Sequence, residues 1–197
     1  MPEAQTLLTE VHPLEPFLPP KARLLMLGSF PPRKVRWAMD FYYPNPLNDM
    51  WRIMGLVFYS DRDYFLVAGE KRFDESSIRD FCAERGIALT DTARAVRRLH
   101  GNASDNYLQI VEPLDLGAVL SRLPDCRAIA ATGQKAAETL AGLTDTGVPA
   151  IGGFTEWDCG DRNFALYRMP SSSRAYPLPL ADKARYYAEM FRRLGMT

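Results

Sequence analysis

The sequence predicts an α/β protein: a three-layer α/β/α sandwich on a mostly parallel, four-stranded central sheet. Three observations carry that reading. Apolar runs of strand length occur at residues 23–28, 87–91, 127–133 and 164–169, and runs with no polar alternation are what strands buried on both faces require. Segments with apolar residues at helical spacing lie between them, and right-handed crossovers then place all the strand ends on one edge of the sheet. The length of 197 residues suits one domain, spanning 1–197, better than two.

Taken in order, residues 1–21 carry five prolines and read as an irregular lead-in over the domain surface. The first strand stops at Gly28. Ser29-Phe-Pro-Pro32 cannot continue a ladder, since two prolines lack donors, so the chain must emerge at the carboxyl edge, where open α/β folds hold ligands. An aromatic, proline-rich loop from Asp40 to Trp51 follows. Met50, Ile53, Met54, Val57 and Phe58 then recur at helical spacing, predicting a helix over 49–58. Residues 64–68 suit a short helix or a strand equally. Ser77-Ile-Arg-Asp80 resembles a capping box, with Gly86 as the stop, for a helix over 77–85. The second strand ends at Asp91-Thr92 and is followed by Arg94, Arg97, Arg98 and His100, then by a turn-rich stretch at 101–105. Pro113 introduces a helix over about 114–123. After the third strand comes an alanine-rich helix over 134–140, and after a loop or hairpin at 147–162 comes the fourth strand. The last helix, 180–194, has Ala184, Tyr187, Ala188, Phe191 and Leu194 on one face.

Composition narrows the function. Lys plus Arg equals Asp plus Glu, 24 each, so no global field draws the protein to a polyanion, and DNA would have to be held by local patches. Cys82, Cys126 and Cys159 are few, odd in number and widely spaced. That pattern fits a reducing, intracellular (cytoplasmic) compartment and disfavours a zinc or iron–sulfur site. Two histidines cannot build a histidine-based metal centre, so no metal and no cofactor are expected. No run is long enough to span a membrane, and the first residues lack the features of a signal peptide.

The chemistry converges on the sheet edge. Gly28-Ser29-Phe30-Pro31 leaves the first strand and Pro170-Ser171-Ser172-Ser173 leaves the last. Between them the aromatic loop offers flat rings, Tyr42 and Tyr43, near the amide of Asn48 at a helix start. Asn48 is also an ordinary N-cap candidate, and the rings also suit core packing. Thr132-Gly-Gln-Lys135 could cradle a phosphate at a helix N-terminus, although it lacks P-loop spacing.

Three stretches, Leu27-Gly-Ser-Phe-Pro31, Tyr42-Tyr-Pro-Asn-Pro-Leu-Asn-Asp-Met-Trp51 and Met169-Pro-Ser-Ser-Ser173, occur in an order that resembles the uracil-DNA glycosylase superfamily, closest to its hypoxanthine-DNA (deoxyinosine) glycosylase branch. The resemblance covers nearly the whole chain. It implies a base-excision enzyme acting on DNA that contains deaminated bases, hypoxanthine or uracil, without cofactor and as a monomer. It also implies that Asn48 is the catalytic asparagine, that Tyr43 stacks on the extruded base, and that Gly28, Ser29, Phe30, Pro31 and Ser171 border the substrate. The loop carrying Ser172 and Ser173 is implied to press into the minor groove; apart from the resemblance, a local basic face is expected at the strand-end edge to hold DNA, drawn from Arg33, Lys34 and Arg36, from Arg94, Arg97 and Arg98, and from Arg174 directly after the serines. Two positions depart from the pattern: Asn45 stands in place of histidine, and Arg174-Ala-Tyr176 follows the serines. Ser29 occupies the place where other branches carry an acid or amide. Lys34 and Lys135 are the nearest candidates for a Schiff-base nucleophile, and a loop lysine is more often a solvated charge, which favours a monofunctional enzyme. A catalytically silent nucleic-acid-binding relative, or a nucleotide-binding enzyme using residues 132–135, are the competing readings.

Overall fold

The continuous apolar runs become the middle of a parallel sheet. The computed structural model describes residues 8–99 and 107–197. Its strands are β1 (Thr9–Val11), β2 (Leu24–Gly28), β3 (Ile87–Asp91), β4 (Ala93–Arg98), β5 (Leu108–Pro113), β6 (Ala128–Thr132), β7 (Phe154–Cys159) and β8 (Arg162–Met169). The helices are α1 (Met50–Tyr59), α2 (Glu75–Arg85), α3 (Leu116–Ser121), α4 (Gln134–Thr144) and α5 (Leu180–Arg193). The main sheet has the order β3-β2-β6-β8-β7. β2 pairs in parallel with β3 and β6, and β6 in parallel with β8. Every residue of β2, β3 and β6 is buried, as strands covered on both faces must be.

Alternation along each strand divides the core into two layers. Leu24, Met26, Ile87 and Leu89 face one side with residues of α1, α2 and α5, among them Trp51, Phe81 and Tyr187. Leu25, Leu27, Ala88 and Ile129 face the other with α3 and α4. The three-layer sandwich follows from that division.

The strand count differs from expectation. The central sheet has five strands, not four, because β7 adds an antiparallel edge to β8. Its residues are exposed or half-buried in alternation, with none fully buried, so the segment carries no apolar run. A second sheet of order β1-β4-β5 lies beyond the end of β3. β4 reads Ala-Arg-Ala-Val-Arg-Arg, and its arginines disguise it as a surface loop. Arg98 is buried, pairing with Glu10 at 2.9 Å and donating to the Pro31 carbonyl at 2.7 Å. Arg94 donates to the Leu14 carbonyl, and Arg97 to Thr9. These cations fasten the small sheet and the lead-in, so Arg94, Arg97 and Arg98 do not form the open basic face expected of them, and Arg98 is buried in an ion pair. The lead-in itself is more regular than expected: it contains β1, and Phe17 exchanges both backbone bonds with Leu89 at the outer edge of β3. His100 and the turn-rich stretch at 101–105 lie outside the described residues.

Helix ends also shifted. Asp74, not Ser77, caps α2: its carboxylate accepts from the Ser77 amide at 3.1 Å, and the helix starts at Glu75. Asp115 does the same for α3. The ambiguous residues 64–68 form turns, tied by a bridge between Leu66 and Phe73. No helix among the described residues is long and apolar enough to cross a membrane.

Candidate active site

At the carboxyl edge of β2, β3 and β6 lies a cleft of about 190 Å³. A cavity on the order of 150 Å³ holds one benzene-sized ring, so this space suits a single flat heterocycle.

Its floor is built from strand ends. In the β2–β3 register Gly28 pairs with Asp91, and a Cβ on Gly28 would sit 2.3 Å from the Asp91 Oδ1 atom. Glycine is therefore required for close approach, and a carboxylate fills the space that a side chain would take. Asp91 is buried, with its Oδ2 2.9 Å from Nε2 of His12 in the lead-in. His12 is fixed in turn by the Leu14 backbone and by the edge of the Phe30 ring, at a centroid separation of 5.2 Å. The sequence marked Asp91 as a strand end and assigned it no role. Its pairing opposite Gly28, the last residue of the first buried strand, is the signal that could have found it. His12 lay in a segment read as irregular and carried no such signal.

Tyr43 completes the floor. Its hydroxyl lies 2.8 Å from that of Thr132, which donates its one proton to the Leu27 carbonyl at 3.1 Å. The tyrosine is therefore the donor of the pair. Burial, and next the charge of Asp91, push the Tyr43 phenol well above its ordinary range, so it stays protonated. The ring stands edge-on to Trp51 at 6.0 Å. Tyr43 has φ of 52°, a left-handed conformation uncommon for a bulky residue and one that folded proteins tend to keep at functional sites. Tyr42 and Trp51 are buried. The Tyr42 hydroxyl donates to the Glu15 carbonyl, and the Trp51 indole to the Tyr42 carbonyl. Trp51 is core, whereas Tyr42 and Phe30 line the cleft with Tyr43; those two are buried, and the least covered of the three rings is that of Tyr43.

One wall is formed by two loops zipped together. Asn48 and Ser173 form an isolated antiparallel bridge, and the Asp49 amide donates to the Ser172 carbonyl at 2.8 Å. The N-cap position of α1 belongs to Asp49, not Asn48, and makes no side-chain cap. The Asn48 Oδ1 accepts from the Met50 amide at 2.9 Å, which fixes its carboxamide and leaves the NH2 group without a partner among the described residues. Behind the wall, the Asp49 carboxylate meets Lys183 Nζ at 3.1 Å and Arg174 at 3.3 Å.

Gly28, Ser29, Phe30, Pro31, Tyr43, Asn48, Ser171, Ser172 and Ser173 all line this one cleft, joined by Arg36, Leu47 and Asp91. Ser172 is buried, so it borders the cleft from within the wall. Arg33, Lys34 and Arg174 stand outside the lining. Lys34 pairs with Asp40 and lies 4.1 Å over the Trp37 ring. The Thr132–Lys135 corner is poorly suited to phosphate: the Gly133 amide already donates to the Met169 carbonyl at 3.1 Å, and Ser171 packs against Gly133.

No family model and no curated relative matches the sequence. A solved chain does match in structure: the solution NMR structure of a protein from Methanosarcina acetivorans, provisionally named a uracil DNA glycosylase, superposes with a TM-score of 0.64. The two chains share a fold. The match spans 95% of this chain and 99% of the other at 21% identity.

Proposed function

We propose that this cleft is the active site of a monofunctional DNA glycosylase that extrudes a deaminated base, hypoxanthine or uracil, and hydrolyses its N-glycosidic bond. The observation that carries the proposal is the bridge between Asn48 and Ser173, which closes the aromatic loop onto the serine loop above Gly28, Asp91 and Tyr43. Likeness in fold to a protein provisionally named a uracil DNA glycosylase supports it.

The geometry supports a role for each group. A base flipped from the stack needs a platform and a partner for its edge. Tyr43 supplies the ring. Asp91, at the bottom of the cleft, supplies a carboxylate that accepts hydrogen bonds and donates none. Hypoxanthine and uracil both present a ring N–H beside a carbonyl, whereas adenine presents a lone pair at that ring nitrogen and would be repelled. His12, 2.9 Å from the other carboxylate oxygen, holds Asp91 in place and leaves one oxygen to meet the base. Asn48 holds the attacking water: the carbonyl keeps a second lone pair beside its bond to Met50, and the NH2 group is uncommitted. The water oxygen bonds to C1′ as the base leaves with the electron pair of the glycosidic bond, and the proton passes to solvent or to a DNA phosphate. An oxocarbenium-like transition state needs positioning and electrostatic support more than a strong base. Arg174, Arg33 and Lys34 flank the mouth as contacts to the DNA backbone. Neither Lys34 nor Lys135 lines the cleft, consistent with water and not an amine as the nucleophile.

The test is excision from oligonucleotides carrying inosine, uracil or xanthine, paired, mismatched and single-stranded. Free base released from inosine or uracil DNA, with unmodified DNA intact, is the expected result. Binding without release from any substrate would make the chain a silent relative. Tight binding of a free mononucleotide with none to DNA would overturn the proposal.

A further inference from the structure

One buried cation has no part in the chemistry above. Lys183, in the first turns of α5, is 1% exposed, yet its Nζ contacts both Asp49 Oδ2 at 3.1 Å and the Ser173 carbonyl at 2.7 Å. The other oxygen of the same carboxylate faces Arg174, with Nε and Nη2 each at 3.3 Å. The two ion pairs differ in kind. Asp49 and Lys183 have side chains 8% and 1% exposed, whereas that of Arg174 is 46% exposed. Removing one partner of a buried pair leaves an uncompensated charge and is strongly unfavourable, while a half-exposed pair is weak and screened by salt. Asp49 therefore needs one cation, and it has two. Arg52 adds a further positive charge that both Arg174 and Asp49 feel.

We infer that Lys183 is a positioning residue for DNA binding: by neutralising Asp49 from inside the protein it leaves Arg174 free to exchange this carboxylate for a backbone phosphate. The inference rests on DNA being the ligand, as proposed above. Lys183 cannot touch DNA, being covered on every side. Without it, Asp49 would hold Arg174 as its remaining close partner, and the guanidinium would be withdrawn from the phosphate. A lysine remote from the nucleic acid would then count as one phosphate contact.

Salt dependence of binding reads this directly, because each phosphate neutralised by a protein cation contributes about −0.9 to the slope of log affinity against log salt. The probe is a duplex with a tetrahydrofuran abasic analogue, which cannot be cleaved by a glycosylase, titrated by fluorescence anisotropy between about 50 and 200 mM salt. Arg174→Ala and Lys183→Met should each reduce the slope by about one, and their combination should reduce it by about one and not by two. Lys183→Met with Asp49→Asn should return to the wild-type slope, since the carboxylate that captures Arg174 is gone. A merely structural role for Lys183 predicts no such return. A folded Lys183→Met protein with the wild-type slope overturns the inference, as does an unchanged slope for Arg174→Ala or a wild type without salt-dependent binding. Should Lys183→Met fail to fold, Asp49→Asn decides: because Lys183 already neutralises the carboxylate, the slope should equal that of the wild type, and a slope steeper by about one, as when a held Arg174 is first released, overturns the inference. Lesion excision by the wild type, measured alongside, separates this from the glycosylase reading. The slope pattern without excision removes the enzyme and keeps the lysine's role; excision with unaltered slopes does the reverse.

Discussion

The floor of the cleft and its rim are organised differently. At the floor each polar side chain already has a protein partner: Asp91 has His12, Tyr43 has Thr132, and Thr132 has the Leu27 carbonyl. These groups sit on strand ends or pack against them, so their positions are set before any ligand arrives. At the rim, Leu47 is 61% exposed and Val35 90%, and the cations Lys34 and Arg174 rest in solvent-accessible ion pairs. Groups that must meet a reacting atom within a fraction of an ångström are pre-organised, because orientation is where most of an amide's or a ring's contribution lies. Groups that meet a polyanion need only charge and reach. Substitutions that remove or displace the ligand-facing part of a floor group should therefore alter turnover and stability together, and those at the rim should alter salt dependence alone.

The largest effect should come from Asn48, where the wall meets the floor. Asn48→Ala removes the amide proposed to hold the attacking water, and loss of one positioned polar group of this kind costs about a hundredfold or more in turnover. Asp49 occupies the N-cap and Met50 loses one hydrogen bond, so the fold should survive with a loss of about 1 kcal/mol. Single-turnover excision and thermal melting on the same samples check both halves. Unaltered turnover in a folded variant would remove Asn48 from the chemistry.

Gly28→Ala should come next. The new Cβ meets Asp91 Oδ1 at 2.3 Å, so the carboxylate, held through its other oxygen by His12, has to shift. Overpacking of this sort costs about 1–3 kcal/mol, visible as a lower Tm, and excision should fall with it. A melting curve like that of the wild type would mean that the floor is softer than its hydrogen bonds imply.

The contrast also explains what the sequence made legible. Buried parallel strands announce themselves as unbroken apolar runs, so β2, β3 and β6 and the edge they form were readable, and with them the loops at Ser29 and Ser171. β4 escaped, and β7 was legible only as part of the loop or hairpin expected at 147–162, because strands with a solvated face or ion-paired arginines have no such run. That the aromatic loop would meet the serine loop at the sheet edge was expected; the backbone bridge between Asn48 and Ser173 that joins them is what no local pattern encodes. Asp91 was visible as a residue and not as a site, because its meaning lies in the register against Gly28. Nor could spacing reveal that Lys183, on a helix face read only for its apolar positions, reaches under both loops.

Tyr43 tests the floor at finer scale. Tyr43→Phe removes the bond to Thr132 and keeps the ring, an expected loss of about 1 kcal/mol in stability with turnover little altered. Tyr43→Ala also removes the platform, and stacking of a base on an aromatic ring is worth about 1–3 kcal/mol. KM and kcat on a uracil-containing strand distinguish them. Equal turnover for both variants would show the ring to be structural, and Phe30 would become the candidate platform.

The smallest effect should belong to Arg33 and Lys34 at the rim. Lys34 already has Asp40 and the Trp37 ring as partners and is 65% exposed, and an exposed ion pair of that kind contributes about 0–1 kcal/mol. Exchanging Asp40 for a phosphate is then close to neutral, and Lys34→Ala should weaken DNA binding within about a few-fold at low salt, uniformly across sequences, with a slope reduced by at most about one. Arg33→Ala should behave alike. Neither should alter single-turnover excision once the enzyme is saturated, because a backbone contact away from the cleft acts on association and not on the reacting bond. Titration at two salt concentrations, followed by saturated single-turnover assays, separates these terms. A change in the saturated rate for Lys34→Ala would place this lysine against the reacting nucleotide and would erase the distinction between floor and rim on that side of the cleft.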